Sequence, residues 1–117
     1  MSWDVFYHPA FSAELRKMDP LIRASLLALF EVVEMSGPQL GRPMADHLKG
    51  SRRANMKELR VMISGDPWRV AFVFDPLRRA IILVAGNKSG QSQALFYRRL
   101  IREADKRYDE HVRSIGR

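Results

Sequence analysis

Asn55–Gly90, NMKELRVMISGDPWRVAFVFDPLRRAIILVAGNKSG, contains three apolar runs separated by two short turn-forming segments. Met56–Ile63, Trp68–Phe74 and Ala80–Ala85 have strand length and are rich in Val, Ile, Phe and Trp. Ser64-Gly65-Asp66-Pro67 lies between the first two, and Asp75-Pro76-Leu77-Arg78-Arg79 between the second two. Proline presets φ, Asp and Ser bond nearby backbone, and glycine accepts positive φ, so both segments predict tight reversals. The three runs therefore predict an antiparallel meander.

The pattern also predicts a register. If 64–67 is a four-residue loop, Ile63 faces Trp68, and Leu59, Val61, Ile63, Trp68, Val70, Phe72 and Phe74 share one sheet face. With 76–79 as the second loop, Ile81, Leu83 and Ala85 join that face, which is wholly apolar and calls for helices to cover it. The other face then carries Glu58, Arg60, Met62, Arg69, Ala71, Val73, Ile82 and Val84. Arg60 falls diagonally from Arg69, within reach of long side chains. Arg69 pairs with Gly86, so Lys88 follows two residues beyond on the same side. Three cations converge at one end of one face. A slip of one residue would exchange the faces, and the apolar set selects this register.

Composition limits the possibilities around this sheet. The 117 residues suit a single domain, 1–117, large enough to bury a core. A hydrophobic content of 46% and a charged content of 28% are those of a folded globular chain. The net charge of +7 and isoelectric point near 10.4 favour a polyanionic partner such as nucleic acid, the ribosome or an acidic protein. With no cysteine, disulfide and thiolate chemistry are excluded. Met1–Pro9 has neither a basic start nor a long apolar core, so no secretory signal is expected. The apolar stretch Leu21–Met35 is too short to span a bilayer and contains Arg23, Glu31 and Glu34. The expected location is the cytoplasm, with no membrane association.

Before the meander, Trp3–Tyr7 reads as a short aromatic strand at an edge, and Ala10–Met18 as a first helix after His8-Pro9. Asp19-Pro20 supplies an N-cap and a first-turn proline for a largely buried helix, Pro20–Ser36, which Gly37-Pro38 ends. Residues 39–54 have no sustained period and read as a long loop or extended connection. From Lys49 to Arg60 five cations (Lys49, Arg52, Arg53, Lys57 and Arg60) stand against one acid, Glu58. After the meander, Ser92 is the N-cap of an amphipathic helix, Gln93–Ile115. Its apolar stripe is Tyr97, Ile101, Ala104, Tyr108, Val112 and Ile115, and its other faces carry Arg98, Arg99, Arg102, Lys106, Arg107 and Arg113.

No metal centre is expected, because His8, His47 and His111 are scattered without metal-ligand spacing. No Gly-rich phosphate loop or nucleophile elbow occurs, and no cofactor is expected. The remaining chemistry is a cation cluster with a nearby phenol, Tyr97. Arg and Lys make charge-assisted bonds to phosphodiester oxygens and stabilise the added charge of a pentacovalent transition state. RNA brings its own nucleophile in the 2′-hydroxyl, so such a site needs positioning, charge and a proton shuttle rather than a metal.

Lys57-Glu58-Leu59-Arg60, Pro67-Trp68-Arg69-Val70, Phe74-Asp75-Pro76, Gly86-Asn87-Lys88-Ser89-Gly90, Phe96-Tyr97 and Ala104-Asp105…Tyr108-Asp109-Glu110-His111 together resemble the phage-derived, HigB-like toxins of the RelE/ParE superfamily. The resemblance is close over residues 42–112. It implies an α+β, RelE-like fold: a small antiparallel sheet, made of the N-terminal strand and the meander, packed against helices with a long C-terminal helix. It implies the toxin of a type II toxin–antitoxin system, a ribosome-dependent mRNA endoribonuclease that inhibits translation. The implied partners are the ribosome with its mRNA and a cognate antitoxin with a helix-turn-helix domain, operator DNA being bound only through the antitoxin.

Carried over onto this chain, the implied catalytic residues are Lys57, Arg60, Arg69, Lys88 and Tyr97. Arg60 and Arg69 would hold the scissile phosphate and Lys88 would stabilise developing charge, while Tyr97 stacks on a base or shuttles a proton. Lys49, Arg52, Arg53, Arg98 and Arg99 are candidates for RNA or ribosome contact, with Asp109 and His111 secondary. Each has a structural reading beside the functional one. Arg60 could bridge to Glu58 or Asp75, Lys57 could snorkel from the apolar face, and Tyr97 could be a core residue with its hydroxyl at the rim. Asp109 and His111 could be a solvated charge and a surface or cap residue. No residue stands out as general base. Two other classes compete: a ParE-like DNA gyrase inhibitor on the same fold, and a noncatalytic basic RNA- or ribosome-binding module.

Overall fold

The computed structural model describes residues 2–116. The chain folds as β1 (Asp4–Tyr7), α1 (Pro9–Arg16), α2 (Pro20–Ser36), a 3-10 turn (Gly37–Gln39), β2 (Ala45–His47), β3 (Met56–Ile63), β4 (Asp66–Phe74), β5 (Arg79–Asn87) and α3 (Gln93–Gly116). The strands form one sheet in the order β1-β5-β4-β3-β2.

The meander is antiparallel as expected, and its first turn is tighter than expected. Ser64 and Gly65 both take positive φ, +51° and +83°, which makes a two-residue reversal with Asp66 and Pro67 already in β4. Ile63 therefore faces Asp66 rather than Trp68, a displacement of two residues that leaves every β3 and β4 side chain on its expected face. Arg60 lies directly opposite Arg69, not diagonally from it. Arg69 pairs with Gly86 as expected, but a bulge at Ala71/Phe72 shifts the rest of the β4–β5 pairing by one residue. Beyond the bulge Ile82 moves to the first face and Ile81 and Leu83 to the second, reversing their expected positions.

Two further departures concern the sheet edges. β1 runs parallel to β5, Asp4 beside Arg79 and Tyr7 beside Ile82, because α1 and α2 carry the chain back across the sheet before β2. The sheet is thus mixed rather than wholly antiparallel. The connection 39–54 contributes a short strand, β2, antiparallel to β3.

Helices cover both faces. α1 and α2 pack Phe11, Leu15, Leu26, Phe30 and Val33 on Leu59, Val70, Phe72 and Ile82. α1 starts at Pro9 and ends at Arg16 rather than running over Ala10–Met18; His8 is its N-cap, the ring nitrogen accepting the Ala10 N–H at 3.0 Å, and Asp19 caps α2 at Leu21 N–H. Gly37 closes α2 with φ +60°, where a Cβ would lie 2.5 Å from the Trp3 ring. α3, capped by Ser92, covers the other face, packing Phe96, Leu100, Ala104 and Tyr108 on Met56, Ala71, Val73, Ile81 and Leu83. Its buried stripe is rotated from the expected one: Tyr97, Ile101 and Val112 flank it, Ile115 is exposed, and Asp105 and Arg107 are inside. Arg107 is buried because its guanidinium is fully engaged, donating to Glu14, Glu103 and the Leu83 carbonyl. Among the described residues no helix is long and apolar enough to cross a membrane.

Candidate functional site

At one end of the sheet face that α3 covers, Arg60 and Arg69 are partly exposed around a buried Glu58. Two guanidiniums at directly opposed positions repel one another, and the local structure resolves this with a carboxylate and a phenol. Glu58, two residues before Arg60 on the same face, is 4% exposed. Its Oε2 accepts from Arg60 Nη2 at 3.0 Å and Nε at 3.2 Å. Its Oε1 accepts from the Tyr97 hydroxyl at 2.8 Å, and that oxygen accepts in turn from Arg69 Nε at 3.1 Å. Arg69 also donates to the Trp68 carbonyl, and Arg60 reaches Asp46 on β2 at 3.3 Å. Lys88 stands over the Tyr97 ring, Nζ 5.7 Å from its centroid, and contacts Gln93 Oε1 at 3.4 Å. The fold thus brings Arg60, Arg69, Lys88 and Tyr97 together around Glu58.

The electrostatics follow from these contacts. Burial pushes the Tyr97 phenol up, and its bond to Glu58 raises it further against the opposing pull of Arg69, so it stays a proton donor at neutral pH. The bond to Glu58 strengthens the cationic form of Arg60, despite partial desolvation. Asp46, held by the His47 backbone N–H and by Arg42, Arg60 and Lys49, stays below the usual carboxylate range. Beside the cluster lies a cleft of about 270 Å³ lined by Asp46, His47, Glu58, Arg60, Gln93 and Tyr97, with Leu48 and Lys49 at its wall.

The other sequence candidates, Lys49 apart, fall elsewhere. Strand alternation sends Lys57 to the opposite face with Leu59, beside Phe72. Arg52 and Arg53 turn away from the cleft onto Asp109. Arg53 Nη2 is 2.7 Å from it and also sits 5.0 Å from the Tyr108 ring centroid, while the Arg52 guanidinium makes a second ion pair there. With Ser51 Oγ and Arg52 N–H bonded to Asp105, they clamp the loop before β3 to α3. Asp109 is thus a structural clamp, about 18 Å along the helix from Tyr97. His111 bonds Asp75 at 3.2 Å and stacks on Tyr108, so it too is remote from the cluster. Asp75 engages Arg79 and His111, not Arg60. Arg98 and Arg99 are exposed, and Arg99 lines a separate groove with Phe96, Leu100 and Arg107. Lys49 lines the cleft.

Sequence reasoning missed Glu58 as a central member of the site, and missed Asp46, His47 and Gln93. Glu58 was legible, sharing the face of Arg60 two residues away. Gln93 lies one helical turn before Tyr97, a spacing that puts both on one side of α3. Among the described residues no group of three His, Cys, Asp or Glu is placed to hold a metal ion.

Residues 13–109 match the sequence profile of the phage-derived Gp49-like proteins. The chain is 43% identical over 102 residues to the candidate toxin HigB2 of Mycobacterium tuberculosis, across 86% of this chain and 50% of that protein. It is 46% identical over 67 residues to the candidate toxin HigB3 of the same organism, across 57% of each. The chain spans about half the length of the curated relatives it matches. Among solved structures, it superposes on a mutant of the Escherichia coli toxin RelE in the free state with TM-score 0.62, at 16% identity, covering 92% of this chain and 98% of the other. On the RelBE2 toxin–antitoxin complex of Mycobacterium tuberculosis the TM-score is 0.56 at 17% identity, covering 75% and 100%. At such identities the likeness establishes the RelE-like fold.

Proposed function

Because the chain belongs to the phage-derived Gp49-like protein family, we propose that it is the toxin of a type II toxin–antitoxin system and acts as a ribosome-dependent mRNA endoribonuclease. The names of its relatives support the toxin reading. The observation that carries the enzymatic one is the Arg60–Glu58–Tyr97–Arg69 network with Lys88 above it, part of which lines a cleft at the end of a sheet face. Arg60 and Arg69 hold the nonbridging oxygens of one phosphodiester. The 2′-hydroxyl attacks the adjacent phosphorus, forming a 2′,3′-cyclic phosphate as the bond to the 5′-oxygen breaks. Glu58, the carboxylate inside the cluster, takes the 2′-hydroxyl proton, and the Lys88 ammonium protonates the departing 5′-oxygen. Tyr97 keeps Glu58 and Arg69 in register. The chemistry runs on the chain's own side chains.

The partners that go with this reading are mRNA on the ribosome and a cognate antitoxin with a helix-turn-helix domain through which operator DNA is bound. The site of action is the cytoplasm. The test is inducible expression in a bacterium with mRNA 5′ ends mapped, wild type beside Arg69→Ala. New cuts within translated codons, reduced about 100-fold or more in the variant, are the expected result. Growth arrest without such cuts would transfer the assignment to a ParE-like action on DNA gyrase. Absence of arrest would leave a basic RNA- or ribosome-binding module.

A further inference from the structure

We propose that the cleft beside the cation cluster is a nucleobase pocket in which the side-chain amide of Gln93 selects a keto base, guanine or uracil, at the nucleotide next to the cut. The inference rests on the reading of the cluster as an RNA phosphate site. Glu58, Arg60 and Tyr97 belong both to the cluster and to the cleft wall, so a nucleotide whose phosphate lies on Arg60 and Arg69 has its base within reach of the cleft. At about 270 Å³ the cleft is just under the size that holds a drug-like molecule, which suits one planar ring system. Tyr97 and His47 line it with aromatic rings, the side chains on which bases stack, and Leu48 adds an apolar group.

The polar group that would read the base is oriented by its neighbour. Lys88 can only donate a hydrogen bond, so its contact at 3.4 Å turns the Gln93 amide oxygen toward Lys88. The amide NH2 has no other partner among the described residues and is left as a donor at the cleft. Phosphate contacts position a nucleic acid, whereas base edges carry its sequence. At purine C6 and pyrimidine C4, guanine and uracil offer a carbonyl oxygen to such a donor, where adenine and cytosine offer an amino group.

The test uses short oligoribonucleotides that differ only in one central nucleotide, G, U, A or C, with a 2′-deoxy sugar there to prevent cutting. Binding at low salt is followed by fluorescence anisotropy for the wild type, Gln93→Ala and Gln93→Glu. Gln93 is exposed, so neither substitution touches the core. The wild type is expected to bind the keto oligonucleotides about three- to tenfold more tightly than the amino ones, the value of one hydrogen bond. Gln93→Ala levels the four. Gln93→Glu, which accepts instead of donating, reverses the ratio toward adenine and cytosine whatever its added charge does to overall affinity. Equal wild-type affinities, a preference that survives Gln93→Ala, or no RNA binding would overturn the pocket. Cut sites mapped in cells separate the two readings. A Gln93-dependent preference without any cleavage keeps the pocket and removes the ribonuclease, and cleavage with no dependence on Gln93 does the reverse.

Discussion

Glu58 is the residue that lets two arginines occupy opposed positions on adjacent strands. Its two oxygens are divided between Arg60 and the Tyr97 hydroxyl, and the hydroxyl passes the interaction on to Arg69. Tyr97→Phe keeps the ring beneath Lys88 and removes only this bridge. It is expected to cost about 1 kcal/mol in urea unfolding. Cleavage of ribosome-bound mRNA should fall far more, about 100-fold, with ribosome binding retained. A variant with full cleavage would show that the phenol is a packing residue and nothing more. Glu58→Gln keeps the shape while removing the charge and the proton acceptor, and cleavage is expected to drop by a factor on the order of 100 or more.

At the scale of elements, α3 is fastened along its length by carboxylates. Asp105 accepts from Ser51 Oγ at 2.5 Å and from the Arg52 N–H at 3.2 Å, joining the loop before β3 to the helix. Asp105→Ala leaves both donors short of a buried partner and is expected to lower stability by about 2 kcal/mol in chemical denaturation. Asp75 fastens the other end. Burial alone would raise its carboxyl, but the bonds from Arg79, His111 and the Arg79 and Leu77 backbone N–H groups hold it below the ordinary value of 3.8. A group with a depressed folded pKa adds stability above its unfolded pKa and loses it as pH falls through the folded one. Acidification below about pH 4 should therefore loosen the β4–β5 turn and the C-terminal half of α3. Asp75→Asn is expected to be less stable at pH 7 and to lose less on going to pH 3, as read from urea midpoints at the two values.

For the whole molecule, the charge of +7 matters through where its cations are free. Lys49 lines the cleft, whereas Arg53 is held by Asp109 and Tyr108. Binding to single-stranded RNA should weaken with salt as counterions are released, each phosphate contact adding about 0.7 to the logarithmic slope. Lys49→Ala should reduce that slope by about one contact and leave the thermal midpoint unchanged. Arg53→Ala should lower the midpoint and leave the slope nearly intact. The reverse pattern would mean that the charge run before β3 faces RNA and the clamp is dispensable.

Local rules were enough for the meander, the α2 and α3 boundaries and the convergence of Arg60, Arg69 and Lys88. Turn residues, caps and a period-two apolar set act over a few residues, and a register error of two leaves the faces unchanged. Tertiary structure alone decided the rest. The parallel pairing of β1 depends on where two helices deliver the chain, and the exchange of Ile81, Leu83 and Ile82 depends on a bulge that no periodicity announces. The rotation of α3, which buries Arg107, requires Glu14, Glu103 and the Leu83 carbonyl to meet it from three elements. The same rotation turns Asp109 and His111 into fastenings and sets Gln93 and Tyr97 beside Glu58. Long-range contacts choose among locally equivalent charged residues, so sequence spacing could nominate the cations but could not separate those that fasten the fold from those left facing the cleft.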